Sequence, residues 1–331
     1  MRNVGLAALV SILFTTVLFA QNNRSAVSLT GNDAATCTVP DPCRTFNTAM
    51  AKTNAGGEVI VLSSAGYGPF TVTKSVSIIS PPAYHAALAP TSGDAITITA
   101  DNAVIVLRGL TLNGSLGAST GIDFTGAATI SNSSVFVENC VITGFVTGIS
   151  FTRNGELFIL DTIIRTSDIG MIVDGAAAPS LATIDNVRIE KSALGIVVDN
   201  ARVAVRNTVV SEPGNTGNSF WARANMAGTT AELYASNCLA RGPRFANTDG
   251  FVAGAAAGTA ILNVSNSVSV DNNLSGIVAY ANGTVRAGNN TVTANGFGLK
   301  NSGGTFESAG NNNVRGNTNE VSGTITAYST Q

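Results

Sequence analysis

The sequence predicts an all-β solenoid: stacked coils, each built of three short strands around one apolar core. Three observations predict it. An asparagine-centred pattern returns every 21 to 30 residues, rows of aliphatic side chains stand at fixed offsets from it, and helical spacing is missing. No ten-residue window after Thr53 keeps apolar residues at a period of 3.6, while Val, Ile, Thr, Gly and Asn dominate throughout.

The asparagine position runs Asn139, Asp161, Asn186, Asn207, Asn237, Asn266, Asn289 and Asn311, with Gly109 equivalent upstream. Such spacing is too irregular for a hexapeptide repeat and suits a coil with one fixed corner and elastic loops. Asparagine tolerates the left-handed backbone that a sharp corner needs, and its amide can bond along the stack. Two positions earlier stand Leu107, Val137, Ile159, Ile184, Val205, Ala235, Val264, Ala287 and Ala309. Three positions later the row is Leu112, Ile142, Ile164, Ile189, Val210, Ala240, Ser269, Val292 and Val314. A third row follows a glycine or serine: Ile122, Ile149, Met171, Ile196, Phe220, Phe251, Ile277 and Leu299. Three inward rows mean three strands per coil, each pairing with the coils above and below.

Ahead of the coils, residues 1–20 read as a secretory signal: Arg2, an apolar run from Val4 to Phe19, and small Ala20 before Gln21. The expected location is extracellular or periplasmic, with no membrane span in the mature chain. Residues 21–43 form an N-terminal extension in which Cys37 and Cys43, separated by a loop with two prolines, are placed for a disulfide in an oxidising compartment. Residues 44–331 carry the solenoid. Cys140 and Cys238 follow the corner in coils four apart, roughly 19 Å along the axis. A disulfide needs Cα atoms within about 7 Å, so these two are expected to be buried small hydrophobes.

Lys and Arg total 18 against 20 Asp and Glu, and charged residues make up only 11% of the chain. That balance, spread without blocks, leaves no electrostatic footprint for nucleic acid or an anionic membrane. No zinc, haem or nucleotide motif occurs, and Gly56-Gly57 lacks the Lys-Ser/Thr of a phosphate loop. The expected cofactor is none, with calcium open only under a lyase reading. Asn132-Ser133-Ser134 fits the glycosylation acceptor pattern, as chance produces in a chain this rich in Asn, Ser and Thr.

The asparagine corner behind a signal segment resembles the right-handed parallel β-helix of the pectin-lyase-like superfamily. The opening segment adds to the resemblance: Pro42-Cys43-Arg44-Thr45-Phe46 leads into a short helix through Lys52, followed by Gly56-Gly57-Glu58-Val59-Ile60-Val61-Leu62 and Gly66-Tyr67-Gly68-Pro69. This order is similar to that of secreted bacterial β-helix repeat proteins, in which a helix caps the first coil. The resemblance implies about 11 coils, roughly 50 Å of rod at about 4.8 Å per coil. It covers residues 37 to 325 and specifies fold, not activity, because the superfamily holds lyases, hydrolases, esterases, epimerases and adhesins.

Polygalacturonase-type hydrolases of the superfamily carry Asn-Thr-Asp, then paired aspartates, then Gly-His-Gly. Asn247-Thr248-Asp249 matches the first element, but Leu274 and Ser275 stand in place of the pair, and Phe297 in place of the histidine. The only histidine is His85, far upstream. Inverting hydrolysis needs carboxylates on both sides of the bond, which Asp249 alone does not supply. Uronate lyases of this fold need a base and a neutralised substrate carboxylate, often through calcium. The row Arg153, Asp174, Asp199 and Arg223 offers too few oxygens for that ion.

A binding site is the better-supported expectation. Loops at 211–217 and 241–245 enter one sheet around the single tryptophan, Trp221, whose parity against inward Phe220 and Ala222 points it outward. Trp221, Arg223, Arg241, Arg244 and Asp249 are the predicted sugar-binding residues: an indole face for stacking and charged hydrogen-bonding partners; the alternative is that the two loops fold over Trp221 and bury it. The neighbouring outward row of Ile172, Val197, Val252 and Val278 is apolar and calls for a covering loop or partner. The sequence thus points to an extracellular polysaccharide or cell-surface glycan as partner, without catalysis. Its alternative is a lyase or hydrolase of acidic glycans, with Asp249 and Arg244 as catalytic candidates. Oligomeric state is not specified.

Overall fold

The computed structural model describes residues 21–115, 118–125, 132–175, 178–213, 217–243 and 247–328. The expected signal segment and Arg244 lie outside the described residues. Within them the chain winds through three parallel sheets of 13, 11 and 11 strands. One coil shows the plan: Ser134–Glu138 in the first sheet, Val141–Thr143 in the second, Thr147–Phe151 in the third. Each strand pairs in parallel with the strand one coil on, so Val137 lies beside Ile159, Ile142 beside Ile164 and Ile149 beside Met171. The three aliphatic rows therefore meet inside, and from Leu107 to Ala287 the first of them is buried throughout. Inward phenyl rings stack between coils, Phe124 on Phe151 at 4.7 Å and Phe220 on Phe251 at 4.8 Å. Each such ring contributes about 1.5–3 kcal/mol of burial.

The corner is left-handed as expected. Asn139, Asp161, Asn186, Asn207, Asn237, Asn266 and Asn289 take φ between 51° and 56°, and Gly109 takes 73°. In the last coil the conformation passes to Gly310, so Asn311 is displaced by one. A second left-handed corner, not anticipated, follows five residues later at Gly144, Thr166, Lys191, Glu212, Asp271, Ala294 and Gly316. Between the two corners fits one three-residue strand of the second sheet. That spacing, rather than any residue type, is the repeat's signature here.

Amide ladders occur, though not only where expected. Along the corner, Asn186 donates to Asp161 and Asn237 to Asn207, both at 2.6 Å, but Asn207 turns to Asp185 instead. The buried ladders sit one residue past each corner, where Asn272 donates to Asn295, Asn295 to Asn317, and Asn290 to Asn312, each at 2.9 Å. In earlier coils the position after the first corner holds a hydroxyl at Thr162, Thr208 and Ser267. Thr162 accepts from the Cys140 amide and Ser267 from the Cys238 amide. Both thiols lie buried and unpaired in this column, directed at backbone carbonyls, and burial pushes each up to about 11.

Glycine recurs where the second sheet turns into the third. A Cβ at Gly148 would stand 2.4 Å from the Gly170 carbonyl oxygen and 2.6 Å from the Ile164 methyl, so no side chain fits. Ser219 occupies the same column in the coil of Trp221 and is fully buried.

At the N-terminus, Cys37 and Cys43 are disulfide-bonded. The helix expected to cap the first coil is six residues, Phe46–Ala51, started by Thr45, whose side chain accepts from the Thr48 amide. Phe46 packs 4.8 Å from Phe70 and 5.1 Å from Tyr67. The outermost element of the first sheet is strand Asn22–Val27, paired with Thr53–Val61. That edge is strand, not helix, and the cap reading is not supported there.

Two outcomes test this account. Ala294→Gly relieves a left-handed alanine, worth about 1–2 kcal/mol, against about 0.5–1 kcal/mol of added chain entropy. It should raise the urea midpoint slightly, whereas Asn237→Ala should lower it. Titration with an aromatic disulfide reagent should find no reactive thiol in the native protein and both Cys140 and Cys238 after unfolding.

Candidate functional site

The outer face of the third sheet gathers most of the predicted residues. Regular coil spacing places Asp174, Asp199, Arg223 and Gly254 in one row, because their amides bond in turn to Phe151, Val173, Val198 and Ala222. Arg153 falls one residue beyond that row. Tyr280 continues it, since Ala279 is the register partner of Ala253. A second row runs Asp123, Ser150, Ile172, Val197, Trp221, Val252, Val278 and Lys300. A third sets Asn218 beside Asp249.

Trp221 is partly exposed, as its parity requires, and the Arg223 guanidinium lies 5.1 Å from its ring centre. Arg223 also donates to both oxygens of Asp199, at 2.6 Å at the shortest. Asp199 is 7% exposed. A guanidinium that stacks on an indole and forks onto a carboxylate is fixed in place. Burial raises the Asp174 carboxyl above the usual range, and the neighbouring Asp199 charge adds to it. Burial likewise raises Asp123, helped by Asp94.

Asp249 does not stand in solvent beside Trp221. It is 3% exposed, and its Oδ2 accepts from the Tyr280 hydroxyl at 2.9 Å. Burial raises its carboxyl against the opposing hydrogen bonds, and burial with the Asp249 charge raises the Tyr280 phenol. Gly254 makes room for this pair, since a Cβ there would meet the Tyr280 Cβ at 2.7 Å. The expected row of bare valines is covered: Val197, Val252 and Val278 are fully buried, while Ile172 is half-buried. Arg241 is not on this face at all. It ends strand Leu239–Arg241 of the second sheet, 3.6 Å from Asp271, in a groove with Arg165, Arg188, Glu190 and Lys191.

Between Trp221 and Tyr280 opens a cleft of about 280 Å³, floored by Val252 and Gly254 and edged by Asn218 and Asn225. Two coils separate its aromatic walls, about 10 Å by strand spacing. Sequence reasoning missed Tyr280, Asn218 and Asn225. Aligning the coils on Val198, Ala222, Ala253 and Ala279 would have put Tyr280 in the row of Arg223. Buried polar atoms without a partner among the described residues collect in these same coils, at Ser219 Oγ, Trp221 Nε1 and Thr248 Oγ1.

Asp199 commits both oxygens to Arg223, Asp249 is buried against Tyr280, and among the described residues no three His, Cys, Asp or Glu side chains converge on one point.

No protein-family model and no curated protein sequence matches the chain. Solved structures do. An alginate lyase from Paenibacillus sp. str. FPU-7 superposes with a TM-score of 0.64 at 15% identity, covering 92% of this chain and 99% of the lyase. The catalytic domain of a GH87 α-1,3-glucanase in complex with nigerose gives 0.53 at 14% identity, covering 96% and 68%. Pectate lyase Pel9A gives 0.50 at 14% identity, covering 84% and 76%. The fold is therefore a right-handed parallel β-helix, as in these solved structures. Among the described residues no helix is long and apolar enough to cross a membrane.

Asp249 yields a pH test. Its folded carboxyl titrates above the unfolded value of about 3.9, so its contribution to stability is full below that pH and is lost as pH rises through the folded value. Asp249→Asn keeps an acceptor for Tyr280 and does not ionise. Urea midpoints measured from about pH 3 to pH 7 should show the variant gaining on the wild type as pH rises.

Proposed function

We propose that this protein binds glycan without cleaving it, seating a sugar unit in the cleft between Trp221 and Tyr280. The observation that carries this reading is the pair of aromatic side chains on either side of a small-residue floor, with two amides at the rim. Sugar rings present apolar faces to stacking aromatics and hydroxyl edges to amides. Catalysis fares less well on the same geometry. The two best-placed carboxylates are spoken for, Asp199 by Arg223 and Asp249 by Tyr280. Hydrolysis needs two carboxyl groups facing the bond from opposite sides.

The face also favours a neutral glycan over a uronate polymer. With Asp199 paired to Arg223 and Asp249 buried, Asp123 and Asp174 face only Lys300 in these rows, and like charges brought together are costly. The disulfide supports export to an oxidising compartment. The superposed structures support the reading only through fold, since they are lyases and a glucanase.

Affinity electrophoresis in neutral and uronate polysaccharides tests it. Trp221→Ala should weaken retardation in a neutral polymer about tenfold, or about 1.4 kcal/mol, with no reducing ends or unsaturated products formed. Product release that disappears in Asp249→Asn would replace binding by catalysis.

A further inference from the structure

The first sheet carries an outward row that the Trp221 cleft does not use. Its register lines up Val106, Phe136, Phe158, Thr183, Ala204 and Tyr234 on successive coils. The Phe136 and Phe158 rings stack face to face, 4.7 Å apart and 9° from parallel. Leu160 is 40% exposed, Leu181 47% and Tyr234 40%. Over Ala204, the small member of the row, lies a hollow of about 270 Å³ bounded by Thr183 and Tyr234, with Arg206 and Asn263 at its sides.

Charged side chains flank this row, and they are already paired. Arg108 bonds Glu138 at 2.6 Å, Arg206 bonds Asp185 at 2.8 Å, and Arg202 bonds Glu232 at 2.8 Å. The Tyr234 hydroxyl donates to Glu232, also at 2.8 Å. Mutual neutralisation leaves little net field to attract an acidic polymer. It also leaves the guanidinium edges, about half-exposed, for a ligand's hydroxyl groups.

We propose that this face is a second glycan-binding surface, holding one neutral polysaccharide chain along the rod axis over Phe136, Phe158 and Tyr234. The width of the row selects this occupant. A stable protein interface buries about 800 Å² per partner, and a second copy would have to desolvate both flanking lines of ion pairs to reach it. A polysaccharide is one sugar wide. It covers the aromatic strip, fills the hollow at Ala204 and leaves the ion pairs wet. The surface is independent of the Trp221 cleft, on another wall of the coil.

Phe158→Ala with Tyr234→Ala tests the proposal in the full chain, alone and combined with Trp221→Ala. Retardation would be measured in mixed-linkage β-glucan and galactomannan, with a polyuronate as control. The side chains point outward, so circular dichroism and urea midpoints should stay near the wild type. Expected is an about tenfold loss in a neutral polymer, added to any loss from Trp221→Ala. Ala204→Arg, which fills the hollow without emptying any contact, should weaken binding in the same direction. Retention unchanged in both the double variant and Ala204→Arg overturns the second surface and leaves the Trp221 cleft untouched. Sedimentation showing a dimer that the double variant dissociates also overturns it, giving the face to a second copy.

Discussion

Everything in this rod depends on a backbone conformation that most residues resist. In most coils the chain enters the left-handed region twice, about five residues apart, and these two bends set the three-residue strand of the second sheet between them. Because the bend comes at the same point in every coil, strands stack without slipping, and a given side-chain position returns directly above itself. The core, the ladders and the outer rows are all products of that repetition. The aliphatic rows supply most of the favourable free energy, but it is the bend that decides where they point.

Repetition also explains how function-bearing rows arise without dedicated loops. Asp174, Asp199 and Arg223 meet because three coils place them at one height, and the ion pair that results locks Arg223 over Trp221. Tyr280 reaches Asp249 across 31 residues of sequence by the same means. A flat sheet would offer these side chains only as a pattern; a cleft appears where one position, Gly254, has no side chain at all. The first sheet repeats the device with Ala204.

Sequence was sufficient for the part of this that is chemical repetition. Asparagine marks the first corner, and aliphatic residues two before and three after it mark inward rows, so the core was legible from Leu107 to Ala287. The second corner was not, because Thr166, Lys191, Glu212, Asp271 and Ala294 share no property except place. Strand alternation gave Trp221 its outward direction and put Arg223 at its side. Arg241 was assigned to the same face because a long loop follows it, though its strand belongs to the second sheet. Asp249 looked accessible because its cover, Tyr280, becomes visible only once coils are aligned. Helix at the N-terminus was legible from the Thr45 start, whereas the strand that edges the first sheet, Asn22–Val27, carries no repeat signature.

The buried hydroxyls and indole nitrogen left without partners between Ser219 and Thr248 have a mechanical meaning. Each coil trades energy only with the two beside it, so a shortfall in the middle is not made good from either end. Phenyl rings stack before and within this stretch, Phe124 on Phe151 and Phe220 on Phe251, and chains of amides continue beyond it. The cleft is thus cut into the stretch of coils where apolar stacking, not polar pairing, holds neighbours together.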